Sequence, residues 1–447
     1  MSFPNDPGNP TGDPVAAPPA DTTAPATRPS PARAGIDPRP GLSGLVEGEI
    51  ERWLKDEGQP AYRAAQIRDG VWRQKAGSPD DLLTLPAALR TRLNRSFRLD
   101  TIVADEIKVA DGGLTEKTLH QLSDGALIES VLMHYPARGS KTAGGKPEHR
   151  ERHTLCISSQ AGCAVGCPFC ATGELGFGRD LTTAEILDQV RHAARHLART
   201  RNGAHLTNVV FMGMGEPLLN LDRVLEAVDA LADPARFGLG ARHVVVSTSG
   251  VVPGIRRLTA MGPQFTLAVS LHAARDPLRD VLVPLNRRWP VAEVVAAARD
   301  HARVTGRRVS YEYVMISGVN DSEVDADALA YLLRGDLAHV NLIPMNPVAH
   351  TPWQGSDPQR VTEFAARVRA AGIGVTVRAN RGQDAGAACG QLAANRAGEP
   401  TPVNVARRHE IIVRQSEAAL RGDRSAERLP AALENAVAGA TQKGRRR

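Results

Sequence analysis

Cys163-Ala164-Val165-Gly166-Cys167-Pro168-Phe169-Cys170 holds three of the five cysteines of this 447-residue chain. An apolar run at residues 153–158 leads into it, and Thr182-Thr183-Ala184-Glu185, a capping-box pattern, starts a helix near Thr182 just beyond it. A loop with CxxxCxxC spacing can present three thiolates to one [4Fe–4S] cube. Such cubes are normally held by four cysteines, so a three-cysteine loop leaves one iron for a small molecule. A structural zinc site is the competing explanation. Zinc favours CxxC pairs and four closed positions, whereas here three cysteines cluster and no partner pair stands elsewhere.

Working outward, further apolar runs occur at 206–212, 243–247, 265–271, 309–316, 339–344 and 374–378, with helical stretches between them. Repeated βα units imply parallel strands joined by right-handed crossovers. Six or so units predict an α/β fold, a partial (β/α)6 barrel. Chemistry in such barrels sits at the C-terminal strand ends.

Polar residues stand at those ends. The second run closes in Phe211-Met212-Gly213-Met214-Gly215-Glu216-Pro217, where glycines permit close backbone approach and Glu216 can accept from an ammonium. Ser247-Thr248-Ser249-Gly250, Ser270-Leu271-His272-Ala273 and Pro344-Met345-Asn346-Pro347 close three more. Singly each is an ordinary turn or cap; four around one rim suit a polar ligand. Cys156 lies within the first strand, where a buried thiol is unremarkable. Cys389 sits in the Gly/Asp-rich stretch from Arg381 to Gly390, past the last strand, where a reactive thiol belongs.

Before the barrel, residues 1–40 contain eleven prolines and are expected to be a disordered Pro/Ala-rich head. Residues 41–100 read as a helical accessory domain, with Ile50, Trp53 and Leu54 in one stripe and Ile67, Val71 and Trp72 in another. Arg90, Arg92, Arg95 and Arg98 cluster near its end, as a solvated face or a phosphate-contacting one. Residues 101–152 form a connector of short strands, ending in a basic loop at 136–152 that is expected to be mobile. The barrel spans 153–395, and 396–447 is an extension with a basic tail.

An odd number of cysteines argues for a reducing compartment. No basic-then-apolar leader and no run of eighteen apolar residues is present, so the expectation is a cytoplasmic protein with no membrane partner. The net charge of +6 is compatible with a polyanionic partner without requiring one.

The cysteine loop, with aromatic Phe169 before its last cysteine, resembles that of the radical S-adenosylmethionine (SAM) enzymes. The resemblance implies SAM chelated to the open iron of a [4Fe–4S] cluster and cleaved to a 5′-deoxyadenosyl radical. Five elements extend it: Thr154–Gln160, Gly213–Pro217, Ser247–Gly250, Ser270–His272 and Ala388-Cys389-Gly390. In this order they look like the bacterial dual-specificity RNA methyltransferases, which modify C2 of adenine in 23S rRNA, at the peptidyl-transferase centre, and in tRNA, 3′ of the anticodon. That carbon has no lone pair to attack a sulfonium methyl, so a radical route is needed.

By that resemblance Cys163, Cys167 and Cys170 hold the cluster. Gly215, Glu216, Ser247, Ser270, Leu271, His272 and Asn346 correspond to the SAM contacts. Cys389 would be methylated by one SAM and attacked by the radical from a second. Glu129, in Ile128-Glu129-Ser130-Val131, would remove the C2 proton. Cys156 would then release the product through a transient disulfide with Cys389. The partners implied are 23S rRNA, tRNA and an electron donor such as a flavodoxin or ferredoxin, with the chain a monomer. Two departures stand out: the long basic insertion at 136–152, and Met345 where tryptophan is common. The related adenine-C8 methyltransferase of antibiotic resistance, a radical SAM enzyme with another substrate, and a non-catalytic zinc-stabilised RNA-binding module remain open.

Overall fold

The structure, a computed structural model, describes residues 37–141 and 147–394. The expectations for residues 1–36 and for the tail beyond 394 lie outside the described residues. Three helices open the chain: α1 (Glu49–Asp56), α2 (Arg63–Trp72) and α3 (Ala87–Ser96). The two apolar stripes read from the sequence turn inward, with Ile50, Leu54, Ile67, Val71 and Trp72 all buried. Leu54 is fully inside, so its truncation to alanine would cost about 2–5 kcal/mol.

Strands β1 (Ile102–Ala110), β2 (Thr115–Leu122) and β3 (Leu127–Tyr135) follow. A ribbon, β4 (Arg138–Lys141) with β5 (Pro147–His149), leads to β6 (Arg152–Cys156). A hairpin of β7 (Gln160–Gly162) and β8 (Phe177–Asp180) brackets the cysteine loop and the short helix α4 (Ala171–Leu175). Strands and helices then alternate: α5 (Thr183–Thr200), β9 (Asn208–Phe211), α6 (Leu221–Ala232), β10 (Val244–Thr248), α7 (Val252–Met261), β11 (Thr266–Ser270), α8 (Asp276–Leu282) and α9 (Val291–Thr305). They continue as β12 (Val309–Met315), α10 (Glu323–Leu332), β13 (Ala338–Pro344), α11 (Pro358–Ala370) and β14 (Gly374–Val377).

One ten-stranded sheet runs in the order β1-β2-β3-β6-β9-β10-β11-β12-β13-β14. From β6 to β14 every pairing is parallel, as the βα alternation dictates. The capping box is formed: the Thr182 hydroxyl accepts from the Glu185 N–H at 3.2 Å, and Glu185 accepts from the Thr182 N–H at 2.9 Å. One apolar core extends from the head helices into the parallel sheet.

The structure adds three points to the reading of residues 101–152. The connector strands are not a separate piece, because β3 pairs antiparallel with β6 and so extends the barrel sheet. The 136–152 stretch is not wholly loop, since its two arms pair as β4 and β5. Nor does the insertion separate Glu129 from Cys156. Val131 lies opposite Cys156 in register, so the inserted residues loop out beyond the far end of that pairing.

The head is clamped to α5 by Arg191, which is fully buried. Its guanidinium donates to the carbonyls of Val71, Ala76 and Leu99 and pairs with Asp100 at 2.8 Å and Asp188 at 2.7 Å. The other Asp188 oxygen accepts from the Thr101 N–H and hydroxyl. Of the clustered head arginines, Arg92 pairs with Glu57, Arg90 donates to the Leu85 carbonyl near Asp80, and Arg98 donates to the Arg39 carbonyl. That face is therefore largely spent within the head.

Candidate functional site

The cysteine loop leaves β7 through Gly162, whose φ of +77° is left-handed and whose added Cβ would stand 2.0 Å from the Gly176 carbonyl. Only glycine lets β7 and β8 close there. The Cys163 N–H donates to that same carbonyl at 2.7 Å, and the Cys170 N–H to the Cys167 carbonyl at 3.1 Å. All three sulfurs are half-buried. Burial pushes the Cys163 thiol up to about 12, and raises Cys167 and Cys170, the neighbouring sulfurs adding to the rise at Cys167. Thiols so placed ionise only beside strong positive charge, which a coordinating metal supplies. Among the described residues no three His, Cys, Asp or Glu side chains converge on one point fit for a single ion. A cube makes no such demand, because each thiolate meets a different iron.

Above the loop, Phe169 packs edge-on against His272, ring centroids 4.8 Å apart. His272 has a left-handed φ of +59°, and its Nδ1 accepts from the Val314 N–H at 3.0 Å. Nε2 therefore carries the proton. Burial, with Arg279 nearby, pushes this imidazole down to about 3, so it stays neutral.

Glu216 is buried beside the cysteine loop. One oxygen accepts from the Ser249 N–H at 2.7 Å and hydroxyl at 2.6 Å, the other from the Leu218 N–H at 3.0 Å. No cation pairs with it among the described residues, and burial raises its pKa. A desolvated carboxylate without a counter-charge is a place where an ammonium is stabilised. Gly215, at φ +102°, lets this turn pass Gln160, whose Cβ would stand 2.6 Å from an added one. The Ser247 hydroxyl donates to the Phe211 carbonyl at 2.6 Å and keeps its lone pairs.

Arg279 ties the tips of β10 and β11 together. It is fully buried, and donates to the carbonyls of Ser249 at 2.6 Å, Ser270 at 3.1 Å and Leu271 at 2.9 Å. Burial pulls its pKa down to about 10. Sequence reading missed it because an arginine in Arg275–Asp280 looks like any charged helix start.

The segment after β14 returns to the cysteine loop. The Ala171 N–H donates to the Gly390 carbonyl at 2.7 Å and the Thr172 hydroxyl to the Leu392 carbonyl at 2.7 Å. Cys389 is thereby held near Cys170. Asn346 donates to the Cys389 carbonyl at 3.1 Å and accepts from Gln383 at 2.7 Å, so here it fastens this segment. Met345 points into the core rather than the rim.

Cys156 and Cys389 share one electrostatic environment. Burial pushes Cys156 up to about 12, with Cys389 adding to the rise. Cys389 reaches solvent, yet the protein packed around its sulfur pushes the thiol up to about 11 against the pull of Arg378. Arg378, paired with Glu312 at 3.3 Å, lies within electrostatic reach of both sulfurs.

Glu129 completes the cluster. It lies two residues from Val131 on β3, so it shares a sheet face with Val131 and its partner Cys156. One carboxylate oxygen meets Lys117 Nζ on β2 at 2.7 Å, and the other accepts from the Ala393 and Ala394 N–H groups at 2.9 and 3.1 Å. Lys117 and Arg378 were also missed by sequence reading, one being a single basic residue on an unremarkable strand and the other a single basic residue just past the end of β14.

The Radical SAM superfamily model matches residues 157–331. The chain is 51% identical to the probable dual-specificity RNA methyltransferase RlmN of Parafrankia sp. (strain EAN1pec), across 79% of this chain and 91% of that one. The protein of the same description from Acidothermus cellulolyticus is 48% identical, across 81% and 89%. The chain belongs to this RNA methyltransferase family. A crystal structure of a radical SAM methyltransferase from Sphaerobacter thermophilus superposes with a TM-score of 0.75, at 46% identity, covering 80% of this chain and all of that one. This family member is thus a radical SAM enzyme that acts on RNA. The cysteine loop, Glu216, Ser247, Ser270 to His272 and Arg279 lie inside the matched span, whereas Glu129, Cys156, Asn346, Arg378 and Cys389 lie outside it. No helix among the described residues is long and apolar enough to cross a membrane.

Proposed function

We propose that the enzyme methylates C2 of adenine in 23S rRNA and in tRNA through an S-methylcysteine on Cys389. Cys163, Cys167 and Cys170 would hold a [4Fe–4S] cluster, and Glu216, with Gly215, Ser247, Ser270, Leu271, His272 and Asn346, the SAM beside it. When bound, the cluster and SAM supply a carbon radical that removes hydrogen from the methyl group of Cys389. The remaining steps belong to this chain's own residues. Cys389 Sγ presents the methylene carbon to C2 and bonds to the base through it. Glu129 takes the C2 proton. With the adduct's unpaired electron passed back to the bound redox centre, Cys156 Sγ, as the thiolate, would attack Cys389 Sγ, forming a disulfide as the bond from that sulfur to the methylene carbon breaks. That bond's electron pair stays on the methylene carbon, which takes a proton to become the methyl group, and the electron donor reduces the disulfide.

The observation that carries this reading is the gathering of both non-cluster thiols, Cys156 and Cys389, around Arg378 with Glu129 on the same sheet face. A radical SAM enzyme acting on a protein or small molecule needs no such pair. Electrons would come from a flavodoxin- or ferredoxin-like donor, and the enzyme would work as a monomer in the cytoplasm, where thiols stay reduced.

Anaerobic purification with iron and sulfide analysis, followed by nucleoside analysis of treated RNA, tests the assignment. About four iron and four sulfide per chain and 2-methyladenosine are expected. Zinc without sulfide would sink the radical route, and 8-methyladenosine would move the target carbon.

A further inference from the structure

We propose that Arg152 and Arg381, stacked on Tyr135, form a clamp for the sugar–phosphate backbone of the RNA beside the reactive thiols. Tyr135 ends β3, and Arg152, which starts β6, lies opposite it in register. Arg381 follows β14 by four residues. Both guanidinium carbons lie over the Tyr135 ring, 4.3 and 4.4 Å from its centroid. Arg381 also donates to the His134 carbonyl at 3.0 Å, which fixes its side chain.

Neither arginine meets a carboxylate among the described residues. Some surface arginines are neutralised, as Arg299 is by Asp336, Arg367 by Asp327, Arg257 by Asp222 and Arg92 by Glu57, whereas these two share one ring. Two like charges drawn to one ring repel each other. Cation–π attraction to the ring offsets part of that, and an anion bridging them would remove the rest. The guanidinium fork matches a phosphate diester in shape as well as charge.

Location selects RNA backbone among anions. On β6 Arg152 stands four residues before Cys156 on the same face of the sheet, with Tyr135 opposite it in register. Arg378 lies within electrostatic reach of Tyr135 and of both Cys156 and Cys389. A nucleotide whose base reaches Cys389 carries its phosphates only a few bonds away. The base must leave its stack to get there, and a phosphate grip holds that extruded strand without reading sequence. This inference rests on the RNA-methyltransferase reading and names a surface that serves it.

The test uses the full-length, cluster-loaded enzyme and a labelled, unmodified RNA stem-loop, titrated by fluorescence anisotropy at several salt concentrations. Arg152→Gln and Arg381→Gln should each weaken binding roughly tenfold and reduce the slope of log affinity against log salt by about 0.7–0.9. Iron and sulfide content should stay at the wild-type level, which reports an intact site. Arg381→Lys should keep the slope, since the charge remains, while losing part of the affinity. If Arg152→Gln misfolds, Arg381→Gln decides alone, because its side chain lies outside the sheet pairing. Wild-type slope and affinity in Arg381→Gln would overturn the clamp while leaving the methyltransferase assignment intact. A wild-type enzyme that neither binds nor methylates RNA would overturn both.

Discussion

The two halves of the ten-stranded sheet carry their chemistry in different ways. In the parallel half, β6 to β14, the functional groups stand in short loops just past strand ends: the cysteines, Glu216, Ser247, Ser270 to His272, and Asn346. In the antiparallel half, β1 to β3, Glu129 stands in mid-strand and gains its partner, Lys117, from the neighbouring strand. The contrast is clearest between the two buried glutamates. Glu216 is surrounded by N–H and O–H donors from its own turn and the next strand tip, with no cation, and burial raises its pKa. Glu129 is held by an ammonium at 2.7 Å and two backbone N–H groups. The first has no cation partner among the described residues, while the second already holds its cation, Lys117.

Five substitutions test that division. Cys389→Ala should abolish methylated product altogether, read by nucleoside analysis, while the iron content stays at the wild-type level. Residual turnover would detach the thiols from the reaction. Cys156→Ala should stall release, so RNA accumulates on the protein as a band resistant to denaturant. Free methylated RNA at the wild-type rate would remove Cys156 from the exit step.

Glu129→Gln should slow product formation by roughly 10²–10⁴, the usual contribution of general-base transfer. Lys117→Met tests the antiparallel half specifically. It leaves a buried carboxylate without its cation, at a cost of about 3–5 kcal/mol in denaturant unfolding. A variant as stable as wild type would show that Glu129 does not depend on its cross-strand partner.

The smallest expected effect is at Arg378. Burial raises the Cys389 thiol to about 11 and Arg378 pulls against that rise. A raised folded pKa means that the thiolate fraction climbs with pH until about 11. Methyl transfer to Cys389, followed by mass spectrometry of the protein, should therefore accelerate through the alkaline range. In Arg378→Met the same profile should lie at higher pH. An unchanged profile would leave Arg378 to its pairing with Glu312 alone.

How much was legible in advance follows the same division. The cysteine spacing, the rim motifs and the βα alternation are contiguous in sequence, and the strand runs predicted from apolar residues match β6 and β9 to β14 within a few residues. The capping box at Thr182 formed where its residue types required. Less was visible where partners are distant. Nothing local marks Arg279 as the residue that gathers the carbonyls of Ser249, Ser270 and Leu271, and nothing marks Arg191 as the clamp between head and α5. The expected mobile loop at 136–152 proved to include a paired ribbon, because antiparallel arms pair once their ends are fixed by Tyr135 and Arg152.

The sequence by itself determined the element order, the parallel sheet and the identity of the chemistry-bearing loops, because those depend on periodicity and on spacing within a few residues. Only the tertiary structure decided which charges meet. Lys117 with Glu129, Arg378 with Glu312 beside two thiols, and two arginines on Tyr135 are contacts between strands or loops. The residues within them stand from 12 to more than 240 positions apart in the chain. Burial then sets how strongly each pair interacts, since removing water raises both the cost of a lone charge and the value of a partner. No spacing rule along the chain carries that information.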